Sequence, residues 1–205
     1  MTIFMVFPTA YLPSINYMSK CLNQEEILVE IFETYTKQTC RNHCEIYSPN
    51  GKQTLSIPVI KTHGNHTLTR DIRISYRMPW QKIHWRSIET AYNNSPFLLY
   101  YKDSFIPAFT KRYDFLIDFN RDLLEAVFSS LRITKQIRWT PSFTIDPSPQ
   151  EREKLVSKKL RFHHLEYTQV FIEKHGFLYN LSVIDCLFNL GPETGVYLGH
   201  CTKLI

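Results

Sequence analysis

Apolar positions along this chain follow two rhythms. Near the start they fall in short unbroken runs, "IFMVF" (3–7) and "ILVEIFE" (27–33). Runs this short, bounded by turn-forming residues, predict buried strands. Between them, a proline-rich loop "PTAYLPS" leads into a short helix over Ile15 to Leu22. The period then drops to two: "HCEIYS" and "QTLSIPV" flank Pro49-Asn50-Gly51-Lys52. Asn-Gly tolerates the positive φ angles of a tight hairpin, so these segments predict one. Leu55, Ile57 and Val59 give it a buried face, and Pro58, which has no N–H for a ladder, marks a strand end or edge. "DIRIS" (71–75) adds a short strand.

From Pro79 the rhythm becomes helical. Pro79 suits a first helical turn, and Trp80, Ile83, His84, Ser87, Ile88, Ala91 and Tyr92 fall on one face. A second helix is expected from Ser95-Pro96, with Ser95 as its cap, until Pro107 breaks it. In a third, 114–132, Leu116, Phe119, Leu123, Val127 and Leu131 form the core stripe. Residues 136–150, ending "TPSFTIDPSPQ", read as an exposed connection. "FLYNLSVIDCLFNLG" closes the series as a helix stopped by Gly191-Pro192. The expected fold is α/β: a single domain over residues 1–205 with a mixed, Rossmann-like sheet, a strand-rich N-terminal half including a β-hairpin, and a helical middle and C-terminal part.

Composition narrows the function classes. The 205 residues carry a formal charge of +5 with 21% charged and 14% aromatic positions, and only six glycines. No G-x-G-x-x-G or Walker lysine loop appears. Basic residues are dispersed apart from "EREKLVSKKLRFHH" (151–164), which reads as a solvated surface rather than a nucleic-acid site. No apolar run approaches the roughly 20 residues of a membrane span, and the apolar start lacks a basic leader, so it reads as a strand. Five scattered cysteines favour reduced thiols in a cytoplasm over a disulfide scaffold.

Several residue types bear on chemistry. His84 shares an inward face with Trp80, Ile88 and Tyr92, which suits either a hydrogen-bonded core histidine or a general acid/base. Asp185 lies mid-helix among apolar residues, where a carboxylate needs a partner. An Asp185–His84 pair, with the acid orienting the ring, is one solution. "CRNHC" (40–44) offers sulfur and nitrogen ligands, yet no second pair completes a tetrahedral zinc set. If this segment is extended, Lys37 and Arg41 fall on one face and converge on a carboxylate or phosphate, with Asn42 beside them.

Four ordered blocks, "PTAYLPSINY", "YTKQTCRNHCEIYSPNGKQTLSIPV", "WQKIHWRSIETAYNNSPF" and "LSVIDCLFNLGPET", resemble the WbqC-like proteins, bacterial proteins associated with surface-polysaccharide and modified-sugar biosynthesis. The resemblance extends to about residue 194 and is sparse between 133 and 165. It matches the family pattern at Tyr11, Pro13, Lys37, Arg41, Asn42, Gly51, Pro58, His84, Ser87, Ile88, Tyr92, Ser182, Asp185 and Asn189. Phe7 stands where many relatives carry glutamine, Cys40 where many carry an aromatic residue and His43 where many carry arginine. The Gly-rich "YLSG"-like segment of longer members is absent. The opening strand, loop, helix and strand also resemble Rossmann-like nucleotidyltransferases, but Tyr11, Ser14 and Asn16 occupy the space of their loop histidines.

The resemblance implies a pathway class, and the residues read above suggest within it a group-transfer enzyme acting on an activated sugar or amino sugar. His84 and Asp185 would be catalytic, and Tyr11, Lys37, Arg41, Asn42, Tyr92 and Asn189 would bind an anionic small molecule such as a nucleotide sugar. No metal is assigned, and the cofactor and oligomeric state stay open. The alternatives are a non-catalytic partner of the same pathway, with Trp80, Trp85 and tyrosines forming its surface, and a nucleotide-binding adenylyl- or aminoacyl-transfer protein.

Overall fold

A computed structural model describes residues 5–144, 149–156 and 165–201. The strand expected over 3–7 is β1, Val6–Pro8, with residues 3 and 4 outside the described part. The chain crosses through α1 (Ile15–Leu22) to β2 (Ile27–Glu30), which lies parallel to β1 in the register Phe7 to Val29. Ser14 caps α1 through Oγ, which accepts the Tyr17 N–H. At the other end of α1, the Lys135 ammonium meets the carbonyls of Cys21, Leu22 and Gln24, closing carbonyls the helix leaves open.

The third parallel strand corrects the sequence reading. Residues 136–150 are expected as a connection, but Ile137–Trp139 forms β7 against β2, giving the order β1-β2-β7. Its pattern, half-buried Ile137 and Trp139 around exposed Arg138, is the three-residue alternation of an edge strand, too short to register as a period. The mixed character of the sheet is distributed among separate pieces. Beside the parallel sheet stand the hairpin β3 (His43–Ser48) and β4 (Gly51–Ser56), and the small pair β5 (Val59–Ile60) and β6 (Arg73–Ile74). The hairpin loop is Pro49-Asn50, and Gly51 takes φ +91°. Pro58 falls between β4 and β5, where no ladder bond is required of it.

Four helices pack around these strands: α2 (Trp80–Tyr92), α3 (Leu98–Thr110), α4 (Leu116–Ser130) and, after the eight-residue α5 (Pro149–Val156) and the single turn α6 (Ile172–His175), α7 (Val183–Leu190). The short α8 (Thr194–Cys201) follows. On α2 the expected stripe is buried at Trp80, His84, Ile88, Ala91 and Tyr92, while Ile83 is 46% exposed. Helix α3 departs from expectation at both ends. Ser95 closes α2 by donating to the Tyr92 carbonyl, and α3 begins at Leu98. Pro107 lies inside α3, which runs on to Thr110; the proline is exposed, so its ring faces water rather than the core.

The segment before the hairpin is also corrected. It is not extended: it turns tightly, with the N–H groups of Asn42 and His43 both reaching the Thr39 carbonyl and Gln38 at φ +60°. The alternate-face argument for Lys37 and Arg41 therefore does not apply. Of "EREKLVSKKLRFHH", residues 157–164 lie outside the described part. No helix among the described residues is long and apolar enough to cross a membrane.

Candidate functional site

The site grows from the loop after β1. Residues Thr9 to Pro13 are all buried, and the Tyr11 N–H donates to the Cys40 carbonyl at 2.8 Å, seaming this loop to the turn before the hairpin. The seam points the Tyr11 ring into the core against α2, where its hydroxyl lies 2.9 Å from His84 Nδ1. The Trp80 ring meets the imidazole edge-on at 5.2 Å, and Phe119 packs on both Tyr11 and Trp80. Burial lowers the His84 pKa to about 4, opposed by the Ser56 backbone beside the ring. A carbonyl only accepts, so we assign the ring proton to Nε2, facing Ser56. That leaves Nδ1 to accept from Tyr11.

Tyr11 continues the line to Cys44 on β3. Burial pushes both the phenol and the thiol up, and the two lie close enough to act on each other's ionisation. Cys44 in turn lies close enough to Tyr92 to bear on its ionisation. The Tyr92 hydroxyl receives the Tyr47 N–H at 3.2 Å and faces Asp185.

Asp185 is in the first turn of α7, where Ser182 caps the helix and the positive end of the dipole favours an acid. It is fully buried. Oδ2 accepts from the Tyr167 hydroxyl and, at 2.9 Å, from Gln169 Nε2. Gln169 is fixed by two bonds to the Leu178 backbone. Burial raises the Asp185 pKa to about 6, against the lowering effect of Tyr167, Gln169 and Tyr92. Tyr92 makes no full hydrogen bond to Oδ1, which is left without a partner.

The direct Asp185–His84 pair expected from the sequence is thus not made. Each group has its own partners, and Tyr11, Cys44 and Tyr92 lie between them. Tyr11 and His84 are hydrogen-bonded, and electrostatic proximity links Tyr11, Cys44, Tyr92 and Asp185 in turn, which makes one polar thread through the core. Asn189 joins only indirectly, its Nδ2 bonding the Asp185 carbonyl at 2.8 Å one helical turn back. Asn42 is buried and ties its turn to the hairpin, with Nδ2 on the Ile57 carbonyl at 3.0 Å.

The cationic pair is also redrawn. Lys37 is exposed, whereas Arg41 is buried. Arg41 donates through Nε and Nη2 to Glu33 Oε1 at 2.8 and 2.5 Å, and through Nη1 to Thr39 at 3.1 Å. The second cation on this carboxylate is Arg152 of α5, 2.5 Å from Oε2. Glu33, Arg152, Cys44, Tyr167 and Gln169 were not singled out from the sequence as members of these clusters. In the sequence, Cys44 suggests only a metal ligand, and Arg152 only part of a basic stretch. Among the described residues no three His, Cys, Asp or Glu side chains gather as a metal set. Burial moves the Cys40 thiol to about 11, away from the thiolate a metal needs. A surface hollow of about 610 Å³ beside α4 is lined by Lys111, Tyr113, Asp118 and Asp122 among others, and by none of the candidate residues.

Comparison with known proteins agrees with the resemblance read from the four blocks. An uncharacterized protein of Mycobacterium tuberculosis (strain ATCC 25618 / H37Rv), Rv1507c, is 25% identical over 224 aligned positions, covering 94% of this chain and 96% of the relative. No solved structure matches significantly. The sequence pattern that defines the WbqC-like protein family matches residues 9–161, which include Tyr11, Arg41, His84 and Tyr92 but end before Asp185. The chain belongs to the WbqC-like protein family.

Proposed function

We propose that this chain is a group-transfer enzyme of bacterial surface-polysaccharide or modified-sugar biosynthesis, acting in the cytoplasm on an activated sugar or its amino group. The family supports the pathway class, and by its name alone. The observation that carries the enzymatic reading is the polar thread, with a neutral imidazole at one end and a carboxylate raised to about 6 at the other. Well-packed apolar residues of the same volume are often at least as stable as buried ionisable ones. Perturbed groups of this kind gather where protons are moved.

In this reading Tyr11 meets the acceptor. An acceptor hydroxyl or amine gives its proton to the Tyr11 oxygen as the Tyr11 proton passes to His84 Nδ1; its lone pair forms the bond to the transferred group, and the donor's leaving group departs with the electron pair of the bond that breaks. Tyr92 and Asp185 hold the far end of the thread. Substrate entry requires the loop at Tyr11 to part from the turn at Cys40, because both His84 and Tyr11 are closed from solvent.

That closure favours a second reading, a non-catalytic partner protein. Its surface would not be the one expected from the sequence, since Trp80 is buried and Trp85 half-buried; the most exposed large apolar residues among those described are Tyr100, Leu99 and Val196. A turnover screen with nucleotide-sugar, ATP and aminoacyl donors separates the two. His84→Ala would leave the Tyr11 hydroxyl unpaired and a void behind it, so His84→Gln and Tyr11→Phe are the informative variants. The enzymatic reading expects turnover that falls about 100-fold or more in both, with Tm changed by only a few degrees. Turnover that survives both variants sinks the assignment, and a wild type inert to every donor favours the partner reading.

A further inference from the structure

Beyond the carboxyl ends of β1 and β2, the Arg41–Glu33–Arg152 cluster is unbalanced. Among the described residues, two guanidinium groups contact the single carboxylate of Glu33, with side chains only 5%, 11% and 16% exposed, while the buried Glu30 at the end of β2 is held by Thr140 and by the N–H groups of Phe32 and Thr144. Two further donors at this place are unused. The Tyr35 hydroxyl, on a residue 3% exposed, has no partner, and it lies close enough to Arg41 and Cys40 for both to act on its ionisation. Arg152 Nε has no partner either. Surplus buried charge and unpaired donors are each costly, and one additional anion would satisfy all of them.

The position suits such a ligand. Open parallel sheets bind ligands beyond the carboxyl ends of their strands. The cluster is anchored there by Asn120, whose Nδ2 reaches both Thr9 just after β1 and the Arg41 carbonyl, at 3.1 and 2.8 Å. Helix α5, which carries Arg152, packs against β1. The guanidinium forks present the planar, paired N–H groups that match phosphate oxygens.

We propose that Arg41, Arg152 and Tyr35 form a phosphate-binding site, in which Glu33 holds the two guanidinium groups in place until a phosphoryl group takes over their charge. The ligand class is the phosphate or diphosphate of an activated-sugar donor, and this identification rests on the group-transfer reading above. With Glu33 in place, a phosphoryl group bearing one negative charge would balance the second guanidinium, which Glu33 alone does not. Its oxygens would accept from Arg152 Nε and the Tyr35 hydroxyl.

The test measures binding of inorganic phosphate and of uridine diphosphate by calorimetry and thermal shift, against sodium chloride at matched ionic strength. Arg41→Ala risks the fold, so Arg152→Gln and Tyr35→Phe are used beside the wild type. Both probes are expected to bind the wild type, with affinity lowered about tenfold in each variant. Glu33→Gln is expected to bind phosphate several-fold more tightly, because it removes the competing charge; a purely structural Glu33 would only lower Tm. No binding above the chloride control, or equal binding in all the variants, overturns the site. Turnover lost in His84→Gln with no phosphate binding would spare the group-transfer reading and sink this site. Phosphate binding that depends on Arg152 and Tyr35 in a protein that turns over no donor would do the reverse.

Discussion

At the residue scale, burial moves the two ends of the polar thread in opposite directions, and this fixes how stability responds to acid. His84 titrates near 4 in the folded chain against an ordinary 6.5. Between these values the unfolded chain binds the proton first, so stability is lost as pH falls from 6.5 towards 4. Asp185 titrates near 6 against an ordinary 3.8, so here the folded chain takes the proton first. Its contribution grows as pH falls through the same window. Each term is worth about 3 kcal/mol at full extent, so the two nearly cancel in the wild type. Asp185→Asn removes only the second. Its unfolding free energy in urea is therefore expected to drop by about 3 kcal/mol more than that of the wild type between pH 6.5 and 4, and parallel curves would refute the opposed shifts. This thread was half legible in the sequence. Helical periodicity alone turned His84 and Tyr92 inward, and an acid amid "LSVIDCLFN" had to have partners. Those partners were not foreseen, because Tyr167 and Gln169 lie outside the blocks that carry the resemblance and act through tertiary contacts. Arg41 was legible as a cation but not as the partner of Glu33, since local spacing says nothing of a chain that turns back on itself.

At the scale of elements, the corner between α7 and α8 depends on one glycine. Gly191 has φ +56°, and a Cβ there would lie 2.6 Å from the Phe97 ring. That ring cannot withdraw easily, because the Phe97 N–H is bonded to the Phe188 carbonyl at 3.0 Å. Gly191→Ala combines left-handed strain with overpacking, so a loss of about 2–4 kcal/mol is expected in chemical denaturation. Gly195, inside α8, has an ordinary φ, and a Cβ added to it would meet nothing within 4 Å. Gly195→Ala is expected to raise stability by about 0.5–1 kcal/mol through helix propensity alone. Equal effects from the two substitutions would contradict the packing at this corner. Elements with strong periodicity or capping, α1, α2, α4 and the hairpin, were legible from the sequence. Those that depend on a neighbour were not. The edge strand β7 exists because β2 offers it a ladder, and α3 continues through Pro107 because that face meets solvent.

At the scale of the whole molecule, the two ends of the chain close on each other. Ser14 and Ser182 form an isolated antiparallel bridge. The first turn of α1 is satisfied from the far end, with Ile15 N–H on the Leu181 carbonyl at 3.0 Å and Asn16 N–H on Asn180 Oδ1 at 2.9 Å. The Val183 N–H returns to the Pro13 carbonyl at 2.8 Å. Helix α1 also packs on both α7 and α8. The match to the family's pattern covers residues 9–161, so it does not include the segment that completes the helix after the first strand. Removing everything after residue 165 would strip Val183, Ile184, Leu187, Phe188 and Leu198, each at most 1% exposed, from the core. At about 2 kcal/mol for each buried side chain, this loss is as large as the whole stability of an ordinary domain. It would also leave first-turn N–H groups of α1 without their partners. A fragment of residues 1–165 is therefore expected to show no cooperative thermal transition and to bind a dye specific for exposed apolar surface, while the full chain melts in one step. A fragment that melts cooperatively with dispersed amide resonances would mean that residues 9–161 fold on their own. The single unit expected from the sequence would then divide in two.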